Sequence, residues 1–218
     1  MRVAVIGSTG YVGSAVVKEL ADRGHDVTAF ARNTDKVLRH PNVEAQHADV
    51  HSTAFPEQLK GFGAVVSAFN PGWGNPNIGV EFTQGYDSIL EAAKKANVAY
   101  LLIVGGAGSL YVAPHKQLID APDFPKEIYD GANAARHLLD RLHSRGDLNW
   151  AFISPPVRLG ADAGYSEERT GKYKLGKDDV PMNDDVPAGI SVADLAVAIA
   201  DDIEKKAHLN QRFTAYSV

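Results

Sequence analysis

The chain has 218 residues, no cysteine and a formal net charge of −5. That length suffices for one well-buried α/β domain, and the missing cysteine excludes disulfides, thiolate catalysis and iron–sulfur ligation. The acidic balance argues against nucleic-acid binding, and neither a leader pattern nor an apolar run near the ~20 residues of a membrane span is seen, so a cytoplasmic chain without a membrane partner is expected.

The first thirteen residues, MRVAVIGSTGYVG, carry an apolar run from Val3 to Ile6 and then Gly7, Gly10 and Gly13. A helix-like stretch follows, ending near Arg23-Gly24. Strand, tight turn and helix in this order are the form of a dinucleotide site. Gly7 would allow the turn, Gly10 the close approach of a pyrophosphate, and Gly13 tight packing of helix on strand. The helix N-terminus would offer free N–H groups and a positive dipole end. The bland alternative is a flexible turn that binds nothing. The next strand, Asp26–Ala31, ends at Arg32, 19 residues after Gly13. An acidic residue near that place would hold a ribose 2′-hydroxyl. Arginine suits a 2′-phosphate, which favours NADP over NAD.

Further along, a short polar helix is expected over Thr34–Arg39, a strand over Val43–His47 leading to Asp49-Val50, and a helix over Thr53–Lys60. Strands at Ala64–Ser67, Tyr100–Val104 and Trp150–Ser154 alternate with amphipathic helices at Gly79–Ala96 and Glu127–Ser144. The last elements are a helix at Val192–Lys205 and a strand at Arg212–Thr214. Repeated β-then-α order predicts an α/β fold, a Rossmann-like doubly wound parallel sheet forming one domain over residues 1–218. Ligands of such sheets sit at the C-terminal strand ends, where Gly7, Arg32, Asp49, Phe69-Asn70, Gly105 and Pro155 fall. Asn70–Asn77 and the stretch 155–190 read as irregular and would form a small substrate-side region, with ordinary surface loops as the alternative.

These motifs, with Ser67-Ala68-Phe69, Val104-Gly105-Gly106, Ser154-Pro155-Pro156 and Ile190–Ala196, resemble the atypical short-chain dehydrogenase/reductases. Pro71-Gly72-Trp73, Tyr111–Pro114, Pro122–Pro125 and Arg169–Tyr173 resemble a narrower group, the NmrA-like NAD(P)H-binding proteins of the NADH-flavin reductase type, related to biliverdin IXβ/flavin reductase. The resemblance implies that Gly7 to Val12 cradle the pyrophosphate, with Ser8, Thr9 and Tyr11 at the phosphates and Arg32 at the 2′-phosphate. It places Asp49 and Val50 beside the adenine and Ala68, Phe69 and Asn70 along the adenosine and ribose path. Gly105, Gly106, Pro155 and Pro156 would flank the nicotinamide.

One departure matters. Short-chain dehydrogenases use a Tyr-x-x-x-Lys pair, but Tyr129 is followed four residues on by Asn133. The literal match Tyr173…Lys177 lies in a glycine-containing loop and reads as coincidence. Relatives of the flavin reductase type carry a histidine after Pro-Pro, where this chain has Val157. Hydride transfer from NADPH to FMN, FAD, a quinone or a similar small-molecule acceptor needs alignment more than acid–base groups. Trp73, Tyr111, Phe124 and Tyr129 are candidates for a stacking wall. Ser109 as hydrogen-bond donor, His115 as proton relay and Tyr129 are the candidate catalytic residues. Histidine spacing predicts no metal. The alternative is a non-catalytic, NADP(H)-binding redox-sensing regulator of the NmrA type. An alcohol or nucleotide-sugar enzyme is disfavoured by the missing lysine. A homodimer would use the sheet edge near Arg212–Thr214 or a helix face.

Overall fold

Val3 to Ile6 are all buried while successive side chains of a strand face opposite sides, so β1 (Arg2–Ile6) needs cover on both faces. The computed structural model, which describes all residues from Met1 to Val218, meets that need with an eight-stranded sheet. Its further strands are β2 (Asp26–Ala31), β3 (Val43–His47), β4 (Ala64–Ser67), β5 (Leu101–Val104), β6 (Trp150–Ile153), β7 (Lys174–Gly176) and β8 (Gln211–Tyr216). The order across the sheet is β7-β8-β6-β5-β4-β1-β2-β3, parallel throughout except for the β7–β8 pair.

Five helices flank it: α1 (Tyr11–Asp22), α2 (Phe55–Gln58), α3 (Ile78–Lys95), α4 (Lys126–His143) and α5 (Val192–Lys205). Val3 and Val5 join one core with Val16 and Leu20 of α1 and Leu195 and Ile199 of α5. Ala4 and Ile6 join the other with Phe82 and Tyr86 of α3 and Leu138 of α4. The chain runs outward from β1 to β3 and then returns to β4 on the other side of β1. That reversal opens a crevice at the C-terminal ends of β1 and β4. No helix is long and apolar enough to cross a membrane.

Three expectations need correction. Arg212–Thr214 is not a sheet edge, because β7 pairs outside it in antiparallel register, Gly176 opposite Thr214. Gly176 permits this approach: a Cβ there would lie 2.8 Å from the Thr214 methyl. The stretch 155–190 is not irregular throughout. It holds β7, the parallel pair Arg158–Leu159 with Gly189–Ile190, and a hairpin of Met182–Asn183 with Val186–Pro187. Strands of two or three residues leave no readable periodicity. The helix expected over Thr53–Lys60 is a single turn, Phe55–Gln58.

An ionic strap fastens this C-terminal stretch to α1 and α5. Glu19, only 5% exposed, accepts from Arg23 at 2.8 Å and from both Nε and Nη2 of Arg169 at 2.8 and 2.9 Å. Arg23 also donates to Asp201 of α5 at 2.7 Å. Asp194 accepts from the Thr170 hydroxyl at 2.6 Å and from the Thr170 and Gly171 amides. Arg169 above all, then Arg23, holds the Glu19 carboxyl below the usual carboxylate range against the opposing effect of burial. Glu19→Gln should therefore cost about 1–3 kcal/mol at pH 7. The contribution is complete above the unfolded value of ~4.3 and is lost as pH falls through the lowered folded pKa. In denaturant titrations of the two proteins the gap should narrow as pH falls from 7 to 3; a gap that stays constant would contradict the assignment.

Candidate functional site

The three glycines after β1 differ in what the fold asks of them. Gly7 has φ +73°, and a Cβ there would lie 2.5 Å from the Ala68 carbonyl oxygen beyond β4. At Gly13 a Cβ would lie 1.9 Å from the Gly7 carbonyl oxygen. Both positions must be glycine for the turn and helix to pack. Gly10 is extended, with φ −77° and ψ 174°, and a Cβ there would be 3.5 Å from its nearest neighbour. The fold tolerates a side chain at Gly10, so a bare backbone there leaves room for something outside the chain. Gly10 is also the N-cap of α1, which has no side-chain cap and no acidic residue in its first turn. Its first N–H groups are therefore open to an anion.

In front of this turn lies a cavity of about 1440 Å³, larger than the roughly 300–1,000 Å³ of ordinary small-ligand pockets. Gly7, Thr9, Gly10, Tyr11 and Val12 line it at the turn, and Arg32, Asp49, Val50 and His51 at the ends of β2 and β3. Ala68, Phe69 and Asn70 line it past β4, and Gly105, Gly106, Pro155 and Pro156 past β5 and β6. None of the chain's ion pairs involves Arg32. Arg32 is exposed and lines the cavity without an acidic partner. The Asp49 carboxylate accepts from the His51 amide at 2.9 Å.

Several residues expected at the site lie elsewhere. Ser8 is buried and its hydroxyl donates to the Phe30 carbonyl at 2.8 Å, because the left-handed Gly7 turns it inward rather than toward the phosphate cradle. Gly13 serves packing and does not line the cavity. The Tyr11 ring does line it, but its hydroxyl donates to Glu167 at 2.6 Å. Burial first, and then the Glu167 carboxylate, push that phenol up to about 12.

The three candidate catalytic residues are not at the cavity wall. Ser109 is 3% exposed, and its hydroxyl accepts from Arg212 at 3.0 Å. Arg212 also donates to the Ser154 hydroxyl at 3.2 Å and to Asp178 at 2.9 Å. Ser109 thus anchors a buried clamp behind the β5 and β6 ends. His115 sits exposed, at φ +62°, on the tip of the hairpin Tyr111–Ala113 and Lys116–Gln117. That hairpin carries His115 and Tyr111 off the lining. Tyr129 packs edge-on behind Phe124, with centroids 6.3 Å apart, and Phe124 meets the cavity instead. Asn133 accepts from Arg136, and the Tyr173 hydroxyl donates to Asp201, so neither forms part of an acid–base pair.

Two helical glycines escaped the sequence reading. A Cβ at Gly85 would lie 2.2 Å from the Phe69 ring, and one at Gly131 would lie 2.7 Å from Trp73. Each admits an aromatic ring of the cavity wall against a helix. The signal was available, since glycine inside a helix costs about 1 kcal/mol relative to alanine and needs a reason. Trp73, Phe124, Ile128 and Val157 give the far side an apolar wall. Such a wall can align flat rings and exclude water, and none of these four side chains is ionisable.

A family model described as NAD(P)H-binding matches residues 7–203. The chain is 39% identical over 219 residues to the Bacillus subtilis protein YwnB, covering 100% of this chain and 99% of that one. It is similar to a proposed epimerase from Bacteroides thetaiotaomicron, with a TM-score of 0.90, 36% identity and coverage of 100% and 97% of the two chains. It is also similar to a proposed NADH-flavin reductase from Streptococcus pneumoniae, with a TM-score of 0.85, 33% identity and full coverage of both, 100% and 100%.

The glycine geometry separates fold from binding. Gly13→Ala should lose at least about 1–3 kcal/mol of stability through overpacking. Gly10→Ala should melt within a few degrees of wild type yet bind nicotinamide nucleotide at least ~10-fold more weakly. Thermal melts and fluorescence titrations check both; equal behaviour of the two variants would contradict the distinction.

Proposed function

The family-model match makes this chain a member of the NAD(P)H-binding family, and from that membership we propose that it is an NADPH-dependent reductase of a small planar acceptor such as a flavin or quinone. The observation that carries the reading is Arg32, a cation without an acidic partner at the end of β2, facing the cavity. A carboxylate at the β2 end would favour a ribose hydroxyl and repel a phosphate; arginine does the reverse and binds phosphate through charge-assisted hydrogen bonds. The reductase class is supported by the far wall, and by the S. pneumoniae relative, which is a proposed NADH-flavin reductase.

The residues divide the work by position. The open amides at the start of α1 hold the pyrophosphate, with Gly10 allowing it close. Arg32 meets the 2′-phosphate, and Asp49 and Val50 border the adenine. Gly105, Gly106, Pro155 and Pro156 place the nicotinamide against the apolar wall. Bound NADPH supplies a hydride, and the balance is NADPH, acceptor and one proton giving NADP⁺ and the two-electron-reduced acceptor. With no relay pair on the far wall, that proton comes from solvent. The wall's contribution is alignment, which can supply roughly 7–11 kcal/mol of barrier reduction in favourable cases.

Arg32→Ala should raise the Kd for NADPH about 10–100-fold, the equivalent of one or two charge-assisted hydrogen bonds. Its Kd for NADH should stay within about threefold of wild type. Fluorescence titration of both nucleotides checks this, and a wild-type protein that binds NADH as well as NADPH would contradict it. Following NADPH oxidation with flavins and quinones tests turnover; tight binding with no oxidation of any acceptor would mark a redox sensor instead.

A further inference from the structure

The cations lining the cavity gather at one end of it, beside the carboxylate of Asp49. The lining side chains able to carry positive charge are Arg32 and His51, both at the end assigned to the adenosine. From the Asn70–Asn77 loop to α4, the charged lining residues are Glu81 and Asp123, both acids; Asp162 of the C-terminal stretch lies near Tyr11 at the glycine turn. Glu81 is held in place by the Asn75 amide, which donates to its Oε2 at 2.7 Å. Asp123 is exposed and immediately precedes Phe124 of the apolar wall. Lys126, the nearest cation in sequence, does not line the cavity, although its neighbour Pro125 does.

We propose that the acceptor is an uncharged planar ring, a quinone or riboflavin, and that phosphate-bearing flavins such as FMN and FAD are poor substrates. This rests on the reductase reading above. An isoalloxazine or quinone ring is served by Trp73, Phe124 and the proline-flanked strand ends. A phosphate tail on that ring would find no cation in the lining from the Asn70–Asn77 loop to α4, where the charged groups are the carboxylates of Glu81 and Asp123, and like charges oppose binding, more so at low salt. Setting like charge against an otherwise similar ligand is a way for a site to reject it. In the reaction NADPH gives a hydride to the ring, one proton is taken from solvent, and the quinone leaves as quinol or riboflavin as its dihydro form.

The test compares riboflavin, FMN and an uncharged benzoquinone in two arms. In the first, kcat/KM is measured for each at saturating NADPH and low ionic strength. In the second, riboflavin and FMN fluorescence quenching gives their affinities for the NADP⁺-saturated protein. Riboflavin should exceed FMN by about tenfold in both arms, and the ratio should narrow as salt is raised. In the double variant Glu81→Gln, Asp123→Asn the ratio should move toward one. FMN equal to or better than riboflavin, or a ratio unmoved in a double variant that melts like wild type, would overturn the proposal. Binding of neither ring would overturn it as well. Riboflavin-selective binding without NADPH oxidation would support the charge selection and overturn the reductase reading, so the two failures are distinguishable.

Discussion

The Gly7 carbonyl lies so close to Gly13 that a single methyl group at Gly13 would sit 1.9 Å from its oxygen. This contact fixes how α1 leaves β1, and therefore where the N-terminus of α1 points. Gly7 is pressed equally hard against the backbone past β4, with 2.5 Å between a hypothetical Cβ and the Ala68 oxygen. The two halves of the sheet, which diverge from β1, are thus locked together at the mouth of the crevice. The strand ends that line the cavity at the turn take their places from this lock.

Much of the fold was legible because long elements advertise their period. The strands of the parallel sheet are apolar runs bounded by turns, and α5 falls on Val192–Lys205 as expected. Short elements do not advertise themselves. The three residues of β7 take their place from pairing with β8, which is a tertiary fact, so Arg212–Thr214 read as an edge. At the site, side-chain directions were not legible. Ser8 lies inside a glycine motif but points at Phe30, and Ser109 follows a strand end but serves a buried arginine that stands 103 residues away in the chain. His115 was misplaced because nothing in Pro114-His115-Lys116 tells whether a hairpin turns toward the cavity or away from it. Gly85 and Gly131 were overlooked because each clears space for an aromatic ring from a distant loop.

The turn end of the cavity presents open backbone amides and Arg32, which joins no ion pair. Elsewhere two charged clamps tie segments of the chain together. Arg212 ties the loops after β5 and β6 together through Ser109 and Ser154, and Glu19 with Asp194 straps the stretch 167–173 onto α1 and α5. Each clamp centres on a buried charged group, Arg212 in one and Glu19 and Asp194 in the other, with an exposed partner, Asp178 or Arg169.

The most direct measurement is a crystal structure of the protein with NADP⁺. The account predicts the pyrophosphate against the amides of Thr9 to Val12, the 2′-phosphate within hydrogen-bond reach of Arg32, and the nicotinamide beside Gly105 and Pro155. A nucleotide lying with its 2′-phosphate away from Arg32, or bound outside this cavity, would contradict it.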